Sequence, residues 1–132
     1  MTPALYEILY CSQLATGQTA AVVPKILAVA RARNPNRQVT GVLVFDGMRF
    51  CQHFEGPRTE VLQLIESIKA DRRHQQVEVV HHGEVPQRRY THFHMGFAQS
   101  GDAEELASIE ALDGTPALDR FLALLPGFDV AP

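Results

Sequence analysis

The first residue in this sequence that suggests chemistry is a glutamine, Gln52, which stands between Phe50 and Phe54 in an alternating run. Alternate side chains of a β-strand share a face, so Gln52 lies with the two phenylalanines on a face that they mark as buried. A buried primary amide destabilises a fold by roughly 1–3 kcal/mol for each group left without a hydrogen-bond partner. Gln52 is therefore expected either to pair with backbone or a neighbouring side chain, or to face a polar ligand enclosed by the fold.

Two cysteines and six histidines raise the question of thiol or metal chemistry. Cys11 and Cys51 fall in different predicted strands, and in a reducing compartment they are interpreted as free, buried thiols. A catalytic cysteine would need a base placed by the fold, and nothing in the sequence demands one. His92 and His94 share a predicted strand face, but no third ligand lies at a suggestive spacing. The sequence therefore predicts no metal site.

The composition bounds the class of protein. The chain has 132 residues, of which 45% are hydrophobic and 20% charged, and this predicts one soluble globular domain with a substantial core. A net charge of −3 and the lack of a basic stripe argue against nucleic acid as a partner. No apolar run approaches the ~18 residues of a membrane span, and the amino terminus lacks the pattern of a signal peptide. The sequence predicts a cytoplasmic protein with no membrane partner.

The first half of the chain predicts a strand, a helix and a hairpin that carries Gln52. Residues 5–11 alternate, with Tyr10 on one face, and residues 20–33 have helical spacing after Thr19 as a cap. Asn34-Pro35 is expected to end this helix, because a residue before proline is pushed out of the helical region. Asp46-Gly47 is then a hairpin turn between strands at residues 39–45 and 48–57.

The second half predicts a helix, two strands and two short terminal helices. The helix covers residues 57–70, and strands four and five cover residues 76–82 and 91–99, the latter with Phe93, Met95 and Phe97 on one face. Arg88 and Arg89, between these strands, are interpreted as solvated charge. Amphipathic helices at residues 103–112 and 116–125 are expected to pack on the free face of the sheet, since an exposed apolar stripe is a liability.

This order of elements predicts an α+β fold with a ferredoxin-like β-α-β-β-α-β core, a fifth strand and two C-terminal helices. Strand one is expected beside strand three, parallel to it and at the centre of the sheet. Tyr10 and Gln52 then lie on neighbouring strands, with the phenol within reach of the amide under the two core helices. A shift of one residue in register would separate them.

With these residues in view, the sequence resembles the BLUF family of flavin-binding blue-light sensor domains over about residues 4–98. The resemblance rests on motifs that follow one another in order through the whole predicted core. They are Leu9-Tyr10-Cys11-Ser12, Asn34, Thr40-Gly41-Val42-Leu43, Phe50-Cys51-Gln52-His53-Phe54-Glu55-Gly56-Pro57, Asp71-Arg72-Arg73-His74, Arg88-Arg89-Tyr90 and Phe93-His94-Met95-Gly96-Phe97.

The resemblance implies FAD or FMN, held noncovalently between the first two helices with its ring edge toward the sheet. Tyr10 matches the family's electron-donating tyrosine, Gln52 its switching glutamine, and Met95 a methionine near that glutamine. Asn34 matches the asparagine that bonds the polar edge of the ring. The full set of cofactor-binding residues that the resemblance implies is Tyr10, Ser12, Arg33, Asn34, Gln52, Asp71 and Arg73.

Two positions depart from the family's pattern. Arg33 stands where many relatives carry asparagine or histidine, so it adds a positive charge that is expected to change the contacts to the flavin ring or phosphate. Phe93 stands where many relatives carry tryptophan, and this chain has no tryptophan at all. Tyr10 is therefore expected to be the main redox partner, with Met95 as the relay to the sheet surface.

The resemblance implies a photoreceptor that turns over no substrate, with a photosensor domain at residues 1–100 and a helical extension at residues 101–132. The extension leaves no room for a cyclase or phosphodiesterase domain, so the expected partner is a separate downstream protein. A homo-oligomer is a second expected form of association.

The alternative is a flavin-free ferredoxin-like interaction module in which Tyr10 and Gln52 only satisfy each other's hydrogen bonds. A small hydrolase such as an acylphosphatase would need an arginine in the loop after strand one, and a flavin reductase a glycine-rich fingerprint; both are lacking.

Overall fold

The structure, a computed structural model, describes residues 4–132. Residues 1–3, which belong to the segment judged to lack a signal peptide, lie outside the described residues. Residues 4–132 contain five strands and four α-helices. They are β1 (Leu5–Leu14), α1 (Val22–Arg37), β2 (Thr40–Phe45), β3 (Arg49–Pro57), α2 (Arg58–Ala70), β4 (His74–Val85), β5 (Gly96–Gln99), α3 (Ala103–Glu110) and α4 (Thr115–Leu124), followed by one 3-10 turn, Leu125–Gly127.

The strands form a single mixed sheet in the order β4-β1-β3-β2-β5. β1 and β3 are neighbours at its centre, as predicted, but they run antiparallel, so the expectation of a parallel pair is wrong. The reason is the hairpin: β2 and β3 are antiparallel, and the crossover through α1 makes β1 parallel to β2 and hence antiparallel to β3. The only parallel pair among the described strands is β2 with β5.

Helix α1 does not end at Arg33 as predicted but continues to Arg37, with Pro35 inside its last turn. Pro35 has no N–H to bond the carbonyl of Arg31, and the helix ends only two residues later. The helix closes at Gln38, whose left-handed backbone (φ 58°) directs its N–H back to the carbonyl groups of Asn34 and Pro35. Thr19 is not the cap of this helix, since the capping residue is Ala21 and Thr19 forms a turn before it.

The second half of the chain contains two corrections to the strand boundaries. β4 extends beyond the predicted residues 76–82 at both ends. β5 begins only at Gly96, because residues 91–95 form an irregular connection. As a result Phe93 does not share a face with Met95: Phe93 packs with the C-terminal helices, and Met95 packs under α1.

The sheet separates two apolar layers. On one face α1 covers Leu43, Phe50 and Met95, while α2 covers Tyr10 and Phe54. On the other face helices α3 and α4 pack against the sheet. Their fully buried residues Leu106, Ile109, Ala117 and Phe121 join a cluster with Leu9, Cys11, Val42, Val44 and Cys51 of the sheet. Both terminal helices therefore lie against the sheet, while the division of the chain at residue 100 stays a prediction.

Within residues 4–132, no helix combines the length and the apolar character needed to cross a membrane. The same residues hold no group of three or more histidine, cysteine, aspartate or glutamate side chains suited to a metal ion. Cys11 and Cys51 are free and buried, and they face each other on paired positions of β1 and β3.

Candidate functional site

A cleft opens between α1 and α2, with the central strands as its floor. Its volume is about 190 Å³, several times the share of one liquid water. Tyr10, Leu43, Phe50 and Gln52 form the floor, and the residues that follow α2 close one end. The lining from the helices and this end comprises Ile26, Val29, Ala30, Arg33, Asn34 and Arg37 from α1, Leu64, Ser67 and Ile68 from α2, and Asp71, Arg73 and His74.

The predicted pair of Tyr10 and Gln52 lies at the centre of the floor. The two residues occupy directly opposed positions of β1 and β3, and their side chains point to the same face. The Tyr10 hydroxyl donates a hydrogen bond of 2.6 Å to Gln52 Oε1. Gln52 Nε2 in turn donates to the sulfur of Met95 at 3.3 Å. Three residues predicted to be photoactive are thus joined in one chain of contacts.

The environment of Tyr10 keeps its phenol protonated. Burial raises the pKa of Tyr10 well above its ordinary value of 10.0, and the nearby charge of Asp71 adds to this effect. The ring packs edge-on against Phe54 and His74. A phenol held neutral beside an amide oxygen can release its proton only along that hydrogen bond, so loss of an electron from Tyr10 would move the proton toward Gln52.

Two consecutive polar residues of α1, Arg33 and Asn34, line the cleft. Asn34 is buried, and its Nδ2 donates to the backbone oxygen of His94 at 2.7 Å, which leaves its side-chain oxygen as an acceptor on the cleft side. Arg33, the residue that departs from the family's pattern, also lines the cleft but lies mostly in solvent. The structure therefore brings Asn34 and Arg33 to the same wall.

Asp71 and Arg73 close the end of the cleft as a bidentate ion pair. Arg73 Nη2 donates to Asp71 Oδ2 at 2.6 Å, and Arg73 Nε donates to both carboxylate oxygens at 2.9 and 3.1 Å. The hydrogen bond from Arg73 lowers the pKa of Asp71 against the opposing effect of burial. Asp71-Arg72-Arg73-His74 is thus more than a solvated helix end, because two of its side chains form a fixed charged pair on the cleft and His74 lines it as well.

Ser12 is the one predicted cofactor-binding residue that does not line the cleft. It is fully buried, and its hydroxyl lies 2.9 Å from His74 Nδ1. His74 Nε2 lies 2.7 Å from the backbone oxygen of Ile68, which can only accept. His74 Nε2 therefore donates to Ile68, while the Ser12 hydroxyl, which can donate or accept, bonds Nδ1. Ser12 therefore contacts His74, which lines the cleft, but does not line the cleft itself.

Several lining residues were not predicted, among them His74 and Arg37. A helical repeat gives the missing signal: Ile26, Ala30, Arg33 and Arg37 recur on one face of α1. Since Arg33 was already a candidate, the same spacing leads to Arg37 one turn later. His74 lies within the motif Asp71-Arg72-Arg73-His74, but nothing in the sequence shows that β4 begins there rather than at Gln76.

A second polar cluster lies on the opposite face of the sheet, beneath α4. His53 Nε2 lies 2.8 Å from Glu7 Oε1, and His53 Nδ1 lies 2.6 Å from the Tyr90 hydroxyl. Burial alone would raise the pKa of Glu7, but hydrogen bonds from His53 and His81 and the charge of Arg89 outweigh it and lower the pKa from 4.5 to about 2. Glu7 and His53 are buried, so the pair is held inside the protein.

The interpretation as solvated charge is wrong for Arg88, whose guanidinium is bound to the protein, whereas the side chain of Arg89 is exposed. Arg88 donates to Thr40 Oγ1 at 3.0 Å and to the backbone oxygen of Gln38 at 2.6 Å. The backbone N–H groups of Arg89 and Tyr90 donate to Glu55 Oε1 at 2.6 and 2.8 Å. Both arginines lie in the β4–β5 connection and help to fix it against the sheet.

Comparison with known proteins gives one consistent family. The family model of BLUF, described as sensors of blue-light using FAD, matches residues 5–96. The chain is 29% identical over 86 residues to the blue light- and temperature-regulated antirepressor BluF of Escherichia coli K12, which covers 65% of this chain and 21% of that protein. It is 33% identical over 86 residues to photoactivated adenylate cyclase subunit alpha of Euglena gracilis, which covers 65% of this chain and 8% of that protein. The chain thus corresponds to a small part of either relative.

Solved structures show the same fold. The dark-state structure of BlrB, a BLUF protein, superposes with a TM-score of 0.70 at 27% identity and covers 94% of this chain and 87% of that one. Klebsiella pneumoniae BlrP1 with FMN and cyclic diGMP superposes with a TM-score of 0.72 at 26% identity, covering 92% of this chain and 33% of that one. The agreement with BlrB extends over nearly the whole of both chains.

Proposed function

Because the chain belongs to the BLUF family of blue-light sensors, which bind FAD or FMN, we propose that it is a photoreceptor in which Tyr10 and Gln52 convert light absorption into altered hydrogen bonding. The observation that carries this proposal is the buried hydrogen bond of 2.6 Å from Tyr10 to Gln52, which lies on the floor of the cleft. It joins an oxidisable phenol to an amide that can present either a donor or an acceptor.

The residues that line the cleft fit a flavin, whose ring has one apolar end and one edge of carbonyl and N–H groups. Ile26 and Val29 on α1 and Leu64 on α2 offer apolar contacts. The amides of Asn34 and Gln52 can hydrogen-bond the polar edge, since each has both donors and an acceptor. The guanidinium groups of Arg33 and Arg37, also on the cleft, suit the phosphate of FMN or FAD.

When bound and excited by blue light, the flavin supplies a one-electron oxidant. Tyr10 would be the residue that supplies the electron, and its phenolic proton would move toward Gln52 Oε1 along the existing hydrogen bond. Return of the electron and proton restores Tyr10. In the interval Tyr10 would no longer donate to Gln52 Oε1, so the Gln52 amide would be able to rotate or tautomerise.

Reversal of the Gln52 amide is the proposed signal. In the present orientation Oε1 accepts from Tyr10 and Nε2 donates toward Met95. After reversal Nε2 faces the Tyr10 hydroxyl and Oε1 faces the side of Met95. A flavin bound in the cleft would then meet a different arrangement of hydrogen-bond donors, and stronger bonding to a ring carbonyl would lower the transition energy and shift absorption to the red.

The output is proposed to pass to a separate protein. The similar proteins are named an antirepressor and an adenylate cyclase subunit, so related sensor segments occur with different outputs. In the described part of this chain, the residues after the family match form β5, two short helices packed on the sheet and a final extended segment. A contact surface near these elements is the proposed means of transmission.

The test is an absorption spectrum of the purified protein in the dark, under blue light and during recovery. We expect a yellow protein with a small reversible red shift that is lost in both Tyr10→Phe and Gln52→Leu. Tyr6→Phe is the matched control, since Tyr6 lies on the same face of β1 but is not part of the cleft. It should keep the shift.

A protein that stays colourless after flavin is added would contradict the proposal. Tyr10 and Gln52 would then only satisfy each other's hydrogen bonds in a flavin-free interaction module. Retention of the full red shift in Gln52→Leu would leave the photoreceptor standing but remove Gln52 as its switch.

A further inference from the structure

The outer edge of β5 is covered by residues 128–131, which we call the strap. Phe97 N donates to Ala131 O at 2.8 Å, and Ala131 N donates to Phe97 O at 2.8 Å, so the two residues form an antiparallel bridge. Val130 lies over Gly96 so closely that a Cβ on Gly96 would come within 2.7 Å of its Cγ1. The strap therefore occupies the backbone edge and the adjacent surface of β5.

Arg31 of α1 connects the strap to Met95. Its Nε donates to the backbone oxygen of Met95 at 3.0 Å, and its Nη2 donates to the backbone oxygen of Ala131 at 3.4 Å. Arg31 does not line the cleft, although Asn34, one turn later on the same helix, does. One guanidinium thus holds the residue before β5 and the strap together.

Met95 is also the residue that Gln52 holds from the other side. Gln52 Nε2 donates to its sulfur at 3.3 Å, while Arg31 binds its backbone oxygen. Reversal of the Gln52 amide replaces that donor with an oxygen facing a sulfur, and both atoms are electron-rich. The side chain of Met95 must then move. The acceptor for Arg31 is the backbone oxygen of this same residue, in an irregular connection, so a displacement of Met95 that reaches its backbone would disturb the Arg31 contact.

From this contiguous set of contacts we propose that the outer edge of β5 is the output surface, covered in the dark by the strap and bound in the light by one extended segment of a partner protein. The inference rests on the proposed function, because it needs the Gln52 amide to reverse. The strap itself shows which ligand the edge accepts: an extended chain antiparallel to β5. At the position of Val130 the partner segment needs an aliphatic side chain to cover Gly96 and Phe93.

The strap is suited to release because few interactions hold it. Its backbone pairing with β5 consists of a single bridge with two hydrogen bonds, in contrast to the nine paired positions of β1 and β3. Edge strands with free N–H and C=O groups readily add a further strand. A small change at Met95 can therefore shift the balance between the strap and a competing segment.

The first experiment measures amide hydrogen exchange at Phe97 and Ala131 in the flavin-loaded protein, in the dark and under blue light, with absorption recorded on the same samples. We expect exchange at both amides to be several-fold faster in the light. Arg31→Ala should already exchange fast in the dark while keeping the red shift. Lys25→Ala, which removes a solvent-exposed cation from the same helix, should behave as the wild type.

Unchanged exchange at Phe97 and Ala131 in a sample that does show the red shift would overturn the proposal that light releases the strap, and it would leave the proposed function intact. Loss of the red shift itself would overturn both. The two failures are therefore distinguishable in one data set.

The second experiment tests the edge as a binding surface, with a synthetic peptide of the sequence of residues 125–132 as the probe. Ala131→Pro removes the N–H that bonds Phe97 and should open the edge in the dark. We expect millimolar peptide to shift the amide resonances of Phe97 and Gln99 in this variant and in the illuminated wild type, but not in the dark wild type. A peptide with the same proline should cause no shift, and equal shifts in all samples or none in any would overturn the proposal.

Discussion

The oxygen of Gln52, not its NH₂ group, faces Tyr10, and this decides what each neighbour can do. The Tyr10 hydroxyl must donate, so the phenolic proton already lies on the path to the amide. The NH₂ group of Gln52 donates a hydrogen bond to the sulfur of Met95, which is a weak acceptor. The arrangement holds one strong and one weak hydrogen bond on a single amide, and reversal keeps a hydrogen bond with Tyr10 while it gives up the weak one to Met95.

Glu7 supports a prediction about pH. Its pKa in the folded protein is about 2 against an ordinary value of 4.5, so its charge stabilises the fold at neutral pH by about 3 kcal/mol. Because the folded pKa is the lower one, this contribution is complete above pH 4.5 and is lost as the pH falls from there toward 2. Glu7→Gln should lower the free energy of unfolding at pH 7, and the difference from the wild type should shrink in acid.

Urea unfolding of the two proteins between pH 3 and pH 7 measures this difference. Glu84→Gln serves as the control, because Glu84 is an exposed acid on the neighbouring strand. A gap between Glu7→Gln and the wild type that stays constant down to pH 3 would show that the carboxylate charge is not what holds His53 and His81.

At the scale of elements, the end of α1 offers a prediction about helix termination. Gln38 adopts a left-handed backbone, which glycine accepts far more readily than glutamine. Its backbone oxygen binds Arg88, and glycine keeps that contact. A left-handed backbone destabilises a residue with a Cβ atom by roughly 1–2 kcal/mol, and the added unfolded-state entropy of glycine offsets part of this. Gln38→Gly is therefore expected to raise the free energy of unfolding by about 1 kcal/mol or less.

The matched control is Gln63→Gly, at an exposed position inside α2, which should lower stability by about 1 kcal/mol. Thermal unfolding of both variants distinguishes the two effects. A decrease in both would mean that unfolded-state entropy outweighs the relief at Gln38.

The elements also show what the sequence could predict. Alternation correctly placed Phe50, Gln52 and Phe54 on one face of β3, because side-chain period is a local property. The antiparallel direction of β1 and β3 follows from the predicted hairpin and the crossover through α1, so the expected parallel pair was an error of topology and not a lack of signal. The late start of β5 depends on long-range pairing, which no local pattern encodes. Helix α1 continues past Asn34 to Arg37, and Asn34 bonds the backbone of His94, 60 positions away in the chain, which is a contact that the sequence does not show. The strap was missed for the same reason, since residues 128–131 have no strand pattern of their own.

At the scale of the whole molecule, the sheet divides the cleft from the C-terminal helices. Phe121 of α4 is fully buried, and its ring lies 5.6 Å from that of His53 on the face opposite the cleft. Phe121→Ala is expected to lower the free energy of unfolding by about 3–5 kcal/mol, because the cavity it leaves adds to the lost burial. The folded fraction should nevertheless keep the red shift.

Denaturant unfolding and absorption spectra on the same preparation check both halves of this prediction, and Phe121→Leu should give a smaller loss of stability. Unchanged stability of Phe121→Ala would contradict the contribution assigned to the buried Phe121 ring. Loss of the red shift in a variant that stays folded at low temperature would show that the sheet does not separate the two faces.

The residue-for-residue pairing of β1 with β3 has a consequence for how such a protein can diverge and be engineered. Tyr10 and Gln52 meet only because each stands opposite the other. A single inserted or deleted residue within either strand would turn one of them to the far side of the sheet. Homologues are therefore expected to accumulate length changes in the hairpin turn and in the β4–β5 connection, while the two central strands change by substitution alone. Domains or tags are therefore best inserted in the hairpin turn or in the β4–β5 connection.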